Sequence, residues 1–221
     1  MRERFDLVIF DWDGTLYDSI GWIVECLQRA AVDCGLAVPS RRSAHAVIGL
    51  GLREAFAALF PGVPGTRLEF LVNAYRSHYF ARPGGPSDLF PGVHDLLETL
   101  CDAGFQLAIA TGKSRNGLDH ALAATGLSHL FAATRCADES ASKPDPRMLW
   151  ELLAELRIAP ERALMVGDSI HDLEMARNAG VDAIAVACGA SEAEDLLLWQ
   201  PIACLPRTAD LLDWVCRVTS E

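Results

Sequence analysis

Four short, continuous apolar runs constrain the fold of this 221-residue chain more than any other feature. They cover residues 7–10, 107–110, 163–166 and 183–186. Runs of this length, bounded by polar turns, are typical of strands that are buried on both faces of a sheet. Between the later runs, leucines recur at helical spacing, at positions 149, 152, 153 and 156. Strands that alternate with helices predict a parallel sheet with helices on both sides.

The interval between the first and second runs is too long for a single crossover helix. It contains two amphipathic segments, residues 20–34 and 68–79, and then a stretch rich in Gly and Pro that has the composition of a linker. We therefore expect an all-helical cap domain at residues 16–87, inserted into a catalytic core formed by residues 1–15 and 88–221. The predicted fold class is α/β, with a Rossmann-like parallel sheet core and this inserted helical domain.

Charge and cysteine content limit the classes of function. The formal net charge is −11 and no basic stripe is visible, so nucleic acid is not an expected partner. Seven cysteines occur without C-x-x-C spacing, which indicates free thiols in a reducing compartment and argues against a zinc site. No apolar stretch approaches the roughly 20 residues that a membrane span needs. We expect a cytoplasmic monomer or homodimer whose partner is a small molecule.

Side chains with chemical function follow the predicted strands. Asp11 and Asp13 follow the first run, and Asp168 follows the third. The other candidates are Thr111 and Gly112 after the second run and Lys143 before the third. Because ligands bind beyond the carboxyl ends of the strands in an open parallel sheet, we expect these residues to converge on one edge.

This set of residues suits the transfer of a phosphoryl group. A phosphate monoester carries nearly two negative charges and repels an approaching carboxylate, and Mg²⁺, which prefers oxygen ligands, can offset that repulsion. Asp11 and Asp168 can each offer the cation one carboxylate oxygen, and a backbone carbonyl near Asp13 can offer another. Lys143 would offset more of the charge on the transferring group.

Two carboxylates on one turn suggest two roles. One of Asp11 and Asp13 would attack phosphorus and form an acyl phosphate, and the other would protonate the leaving alkoxide and later activate water. Thr111 and the backbone N–H of Gly112 can hold the phosphate oxygens.

Four segments resemble the successive motifs of the haloacid-dehalogenase superfamily. They are Asp-Trp-Asp-Gly-Thr at 11–15, Thr-Gly-Lys at 111–113, Lys-Pro at 143–144, and Gly-Asp at 167–168 with Asp172. The resemblance covers the whole chain, and it is closest to the phosphoglycolate-phosphatase-like branch of that superfamily.

The resemblance implies a Mg²⁺-dependent phosphatase that hydrolyses a small-molecule phosphate monoester, phosphoglycolate or a sugar phosphate, through a phospho-aspartate intermediate. It implies Asp11 as the nucleophile and Asp13 as the acid/base. It further implies Thr111 and Lys143 as phosphate ligands, Asp11, Asp13 and Asp168 around Mg²⁺, and Asp172 as the group that orients a metal water or Lys143. Asp13 favours phosphoryl transfer over dehalogenation, because the family's dehalogenases lack an aspartate there.

Several residues have a second interpretation. Arg53 follows a glycine-containing turn in the helical insertion and could bind a carboxylate or hydroxyl of the substrate, or it could be a solvated helix residue. Asp172 could be a charge in the first turn of a helix, stabilised by the helix dipole. Lys113 could equally be a surface charge.

Two other functions remain open. A phosphomutase uses the same two aspartates and differs mainly in how the cap excludes water. A catalytically idle regulator could bind a phosphorylated ligand or a protein, although the intact set of Asp11, Asp13, Lys143 and Asp168 argues against it.

Overall fold

The computed structural model describes residues 4–218, and in this part of the chain six strands form one sheet. The strands are β1 (Leu7–Phe10), β2 (Gln106–Thr111), β3 (Ala133–Cys136), β4 (Ala163–Gly167), β5 (Asp182–Val186) and β6 (Ala203–Leu205). They lie in the order β3-β2-β1-β4-β5-β6, and every neighbouring pair is parallel. The strand order reverses beside β1, so a ligand crevice is expected beyond its carboxyl end.

The four predicted strands are confirmed to within one residue at each end, but the edge strands β3 and β6 were not predicted. In β3, Thr134 and Arg135 are only partly buried, and all three residues of β6 are partly buried. An edge strand is covered less completely than a central one, so neither segment needs the continuous apolar run that identified the other four.

Alternate residues of the strands pack on opposite faces of the sheet, as the period of two requires. Val8 and Phe10 belong to one apolar cluster, and Leu7 and Ile9 belong to a second cluster on the other face. The helices that cover the sheet are α5 (Val93–Asp102), α6 (Arg115–Thr125), α7 (Arg147–Leu156), α8 (Ile170–Ala179), α9 (Ala193–Leu197) and α10 (Leu211–Val218). Short 3-10 helices cover Pro86–Asp88, Leu127–Leu130, Pro160–Arg162 and Thr208–Asp210. The predicted α/β fold, with helices on both sides of a parallel sheet, is confirmed.

The segment between β1 and β2 is helical. It contains α1 (Ile20–Asp33), α2 (Arg41–His45), α3 (Leu52–Leu59) and α4 (Gly65–Phe80). These helices pack around an apolar cluster of their own, with Leu27, Phe56 and Leu71 almost completely buried. A separate cluster is what an inserted domain needs for stability. The exact limits of the cap domain, residues 16–87, stay a prediction.

The two chain segments that join the helical insertion to the sheet lie side by side. The N–H of Asp18 donates to the carbonyl of Asp88 over 2.8 Å. The hydroxyl of Tyr17 donates to the Asp88 carboxylate over 2.8 Å and accepts from the N–H of Gly85 over 3.2 Å. Any movement of the insertion relative to the sheet therefore has to bend both segments together.

Two further observations concern the cysteines and the helices of the described residues. Six cysteines have free thiols, and the side chain of the seventh, Cys216, lies outside the described part of the chain. No helix among the described residues combines the length and apolar character needed to cross a bilayer.

Candidate active site

The ammonium of Lys143 joins two of the predicted site carboxylates. Its Nζ lies 2.8 Å from Oδ1 of Asp11 and donates to Oδ1 of Asp172 over 2.6 Å. All three side chains are almost completely excluded from solvent. Burial lowers the pKa of Lys143, but the carboxylates of Asp11 and then Asp172 raise it by more, so the pKa lies above its ordinary value. Lys143 therefore stays charged at the floor of the site.

Asp172 is fixed by the start of α8. Oδ2 of Asp172 accepts from the N–H of Ser169 over 3.1 Å and from its hydroxyl over 2.6 Å, and the Ser169 hydroxyl also accepts from the N–H of Asp172 over 3.3 Å. This reciprocal pair is a capping box, which satisfies two N–H groups at the helix N-terminus. The two interpretations of Asp172 are thus compatible, because one carboxylate oxygen caps the helix while the other binds Lys143.

Asp168 lies at the end of β4 with both of its carboxylate oxygens held. Oδ1 accepts from the hydroxyl of Thr15 and Oδ2 accepts from the N–H of Ala190, each over 2.7 Å. The backbone of two glycines lies close to this carboxylate. A Cβ on Gly14 would lie 2.3 Å from Oδ2 of Asp168, and a Cβ on Gly189 would lie 2.0 Å from it. Burial, and then the charges of Asp11 and Asp172, raise the pKa of Asp168 well above its usual range.

The carboxylates of Asp11, Asp168 and Asp172 form a buried cluster that fits a divalent cation. Each offers an oxygen, and these three oxygens lie within 4.8 Å of one another. Oδ1 of Asp11 is buried and has no well-directed hydrogen bond among the described residues, although the Lys143 ammonium is close. Burial raises the pKa of Asp11 to about 7, with Lys143 opposing the rise. A hard cation would stabilise the ionised carboxylates in this place.

Asp13 lies outside this cluster and has a lysine of its own. Nζ of Lys113 lies 3.1 and 3.0 Å from Oδ1 and Oδ2 of Asp13, and the hydroxyl of Ser19 donates to Oδ1 over 2.6 Å. The Lys113 ammonium also donates to the hydroxyl of Tyr79 from α4, over 2.7 Å. The Asp13 carboxylate is thus engaged by Lys113 and Ser19.

Sequence reasoning did not place Lys113 in the site. Its side chain is only 7% exposed, so it is not a surface charge. One signal in the sequence could have found it. The chain has only two lysines, Lys113 and Lys143, against seventeen arginines. Both lysines bind a site aspartate. Ser19 and Tyr79 carried no comparable signal, because their contacts depend on how the helical insertion sits over the sheet.

Thr111 and Gly112, at the end of β2, lie beside a cavity of about 320 Å³ between the sheet and the helical insertion. The hydroxyl of Thr111 is buried and accepts from the N–H of Lys113 over 3.2 Å. A Cβ on Gly112 would lie 2.4 Å from the carbonyl oxygen of Leu50 and 2.6 Å from that of Gly49. Only a glycine allows this approach of the insertion to the sheet edge.

A further contact holds the same loop of the insertion. The N–H of Gly51 donates to the hydroxyl of Ser142 over 2.7 Å. Ser142 directly precedes Lys143, so the loop is tied to the segment that carries the site lysine. The cavity is therefore closed on one side by the turn at residues 49–51.

Arg53 lines the cavity but is not directed to the aspartates by any contact. Its guanidinium forms an ion pair with Glu69 of α4, and its side chain is 53% exposed. The position of Arg53 is compatible with both interpretations, because the residue is solvated and also lines the cavity. Its role as a substrate ligand stays a prediction.

Comparison with known proteins agrees with this geometry. The family of haloacid dehalogenase-like hydrolases matches residues 8–186. Phosphoglycolate phosphatase of Agrobacterium fabrum is 35% identical over 193 residues, which cover 85% of this chain and 83% of that protein. Pyrophosphatase PpaX of Anoxybacillus flavithermus is 31% identical over 219 residues, 99% of this chain and 100% of that protein.

A solved structure shows the same fold. It is a hydrolase of the haloacid dehalogenase-like family from Streptococcus pneumoniae, with a TM-score of 0.81 and 27% sequence identity. The match covers 96% of this chain and 98% of that one. The fold of almost the whole chain thus has a counterpart in a known structure.

Proposed function

The chain belongs to the haloacid dehalogenase-like hydrolases, and from that premise we propose that it is a phosphatase acting on a small-molecule phosphate monoester. The observation that carries the proposal is the position of Asp11. Its buried carboxylate contacts Lys143 and lines the cavity together with Asp13 and Thr111. Two carboxylates and a fixed cation thus lie close together, which supports a nucleophilic role for Asp11.

The reaction has two steps in this proposal. An oxygen of Asp11 forms a bond to phosphorus while the bond from phosphorus to the ester oxygen breaks, and Asp13 gives its proton to that leaving oxygen. A water then attacks the acyl phosphate, Asp13 takes one of its protons, and inorganic phosphate leaves as the Asp11 carboxylate is restored. Lys143, Thr111 and the N–H of Gly112 would hold the phosphoryl oxygens in both steps.

We propose Mg²⁺ as the cofactor, held by Asp11, Asp168 and the main-chain carbonyl of Asp13. When bound, it would offset negative charge between the ester and the nucleophile. Asp172 would keep Lys143 in position, because its second oxygen is already held by the start of α8.

We further propose that residues 16–87 act as a cap that closes over the cavity during the first step and opens for release. The contacts of Tyr79 with Lys113 and of Gly51 with Ser142 support a closed position of this cap. Phosphoglycolate and sugar phosphates are the first esters to test, the former because a relative is named for it. Arg53 is the proposed ligand in the cap for a polar group of the substrate.

The test is phosphate release from a panel of phosphate esters with and without Mg²⁺, for the wild type, Asp11→Asn and Asp95→Asn. Asp95 lies on α5 with its side chain 88% exposed, so the control removes a surface carboxylate of the same type. We expect release that requires Mg²⁺, is lost in Asp11→Asn and is kept in Asp95→Asn. Equal activity of Asp11→Asn and the wild type would refute the assignment of the nucleophile. Formation of an isomeric phosphate with little free phosphate would identify a phosphomutase.

A further inference from the structure

Tyr79 of helix α4 is connected to the proposed acid/base residue through one intermediate side chain. Its hydroxyl accepts a hydrogen bond from Nζ of Lys113 over 2.7 Å, and the same Nζ lies 3.1 and 3.0 Å from Oδ1 and Oδ2 of Asp13. An ammonium has three N–H donors, so these three oxygens can accept from all of them. Because the Lys113 side chain is buried, removal of the Tyr79 hydroxyl would leave one N–H of this cation without a partner.

The ring of Tyr79 is held by its neighbours. It stacks on the ring of Tyr75 with the two centroids 5.7 Å apart, and it packs edge-to-face against Phe80 at the same centroid distance. The Phe80 ring in turn contacts the ring of His120 from α6 at 5.6 Å and 90°. The carbonyl of Tyr79 accepts from the indole N–H of Trp22 on α1 over 3.3 Å. The position of the Tyr79 hydroxyl therefore follows the position of α4.

Two of the groups that hold the Asp13 carboxylate, one directly and one through Lys113, belong to the cap. Ser19, which donates to Oδ1 over 2.6 Å, directly precedes α1, the first helix of the cap. Tyr79 lies one residue before the end of α4, the last helix of the cap. If the cap opens and closes during turnover, the Lys113 ammonium loses and regains its third acceptor. The observed arrangement around Asp13 requires α4 to lie against the core.

We propose that Tyr79 is a positioning residue, which fixes the Lys113 ammonium and through it the carboxyl group of Asp13 in the place from which Asp13 gives its proton to the leaving oxygen. This inference rests on the proposed phosphatase function and adds a residue of the cap to its acid/base step. The proton transfer is then efficient only while the cap is closed. The attack of Asp11 on phosphorus does not use this contact.

The test compares esters whose leaving groups need that proton to different degrees. They are p-nitrophenyl, phenyl and benzyl phosphate, which carry rings of similar size and are assayed with Mg²⁺. The p-nitrophenolate ion is stable enough to leave without a proton, whereas the alkoxide of benzyl alcohol requires one. Because kcat/KM reports the steps up to release of the alcohol, it isolates the step in which Asp13 acts as the acid.

Tyr79→Phe should lower kcat/KM for benzyl phosphate by about tenfold and change that for p-nitrophenyl phosphate by less than about twofold. Phenyl phosphate should show an intermediate loss. The ratio of kcat/KM for benzyl phosphate to that for p-nitrophenyl phosphate cancels any loss of folded protein. Tyr75→Phe is the matched control, because it removes the same hydroxyl one turn earlier on α4, where that hydroxyl has no hydrogen bond among the described residues. This control should keep the wild-type ratio.

A double variant tests the route through Lys113. Lys113→Met already removes the ammonium, so the addition of Tyr79→Phe should change the ratio by less than about twofold in that background. A further loss of about tenfold would show that Tyr79 acts independently of Lys113, and it would overturn the inference.

The outcomes separate this inference from the proposed function. An unchanged ratio in Tyr79→Phe, an equal loss on all three esters, or the same fall in the ratio in Tyr75→Phe would overturn the inference alone. Inactivity of the wild type on every ester would overturn the proposed function and this inference with it. A ratio that falls in Tyr79→Phe, is kept in Tyr75→Phe and falls no further in the double variant would support both.

Discussion

Lys113 holds the carboxylate of Asp13 by both oxygens, at 3.1 and 3.0 Å, so each of the two proposed catalytic aspartates has its own lysine. Lys143 lies 2.8 Å from Oδ1 of Asp11 alone, and it also donates to Asp172. Burial lowers the pKa of Lys113, but Asp13 and then Tyr79 raise it by more, and the pKa lies above its ordinary value. The two buried cations help to balance a site that contains four carboxylates in a chain of net charge −11.

Loss of Lys113 should therefore impair catalysis through the position of Asp13. We expect Lys113→Met to lower kcat by about 100-fold, the size of effect that a displacement of about 1 Å can cause. The variant also leaves the Asp13 charge unpaired, so it should lower the free energy of unfolding, whereas the double variant Lys113→Met with Asp13→Asn should recover part of that loss. Urea unfolding and steady-state kinetics measure the two effects. Additive losses in the double variant would contradict a coupled pair.

Gly112 should be required for closure of the cap. In Gly112→Ala the new Cβ meets the carbonyl oxygens of Gly49 and Leu50, so we expect kcat/KM to fall by about tenfold or more. Gly21→Ala is the matched control, because Gly21 lies in α1 and an added Cβ there would meet no atom within 4 Å. That control should stabilise the protein by about 1 kcal/mol and leave kcat/KM unchanged. If Gly112→Ala has the same kcat/KM as the wild type, the close contact between Gly112 and the loop at residues 49–50 is not needed for turnover.

Metal binding should stabilise the protein more at high pH. Burial raises the pKa of Asp11 to about 7 and that of Asp168 well above its usual range, so the folded chain binds protons more tightly than the unfolded chain. The contribution of Asp11 to the stability of the metal-free protein is thus present at low pH and is lost as the pH rises through about 7, and the raised pKa of Asp168 acts in the same direction. Mg²⁺ needs ionised ligands, so its gain in Tm should be larger at about pH 8 than at about pH 5.5.

The size of the stabilisation by Mg²⁺ follows from the linkage between binding and folding. Mg²⁺ at 100 times its Kd should add about 2.7 kcal/mol at the higher pH. Thermal unfolding of wild type, Asp11→Asn and Asp95→Asn measures it, and Asp11→Asn should lose most of the gain. A gain in Tm that is equal at both pH values, or equal in Asp11→Asn, would count against the cluster as the metal site.

The two linkers of the cap should exchange their amide hydrogens sooner than the sheet. They are residues 17–19 and 84–85, the latter joined to the former through the Tyr17 hydroxyl. We expect faster exchange there than in β1 and β4, and slower exchange when inorganic phosphate and Mg²⁺ are added. Hydrogen exchange followed by mass spectrometry tests this. Protection of both linkers as slow and cooperative as that of β4 would argue against a moving cap.

The sequence by itself determined the central sheet, because strands buried on both faces must be apolar throughout. It also predicted that Asp11, Lys143 and Asp168 lie close together, because parallel strands bring their carboxyl ends to one edge, and the structure brings these side chains together. The edge strands β3 and β6 could not be predicted, since half-covered strands need no continuous apolar run.

Only the tertiary structure decided which charged side chains pair with one another. Lys113 reaches Asp13, and Tyr79 reaches Lys113, across 34 or more residues of chain. Such contacts depend on how the helical insertion docks on the sheet, and a single side chain in a sequence carries no record of its distant partner.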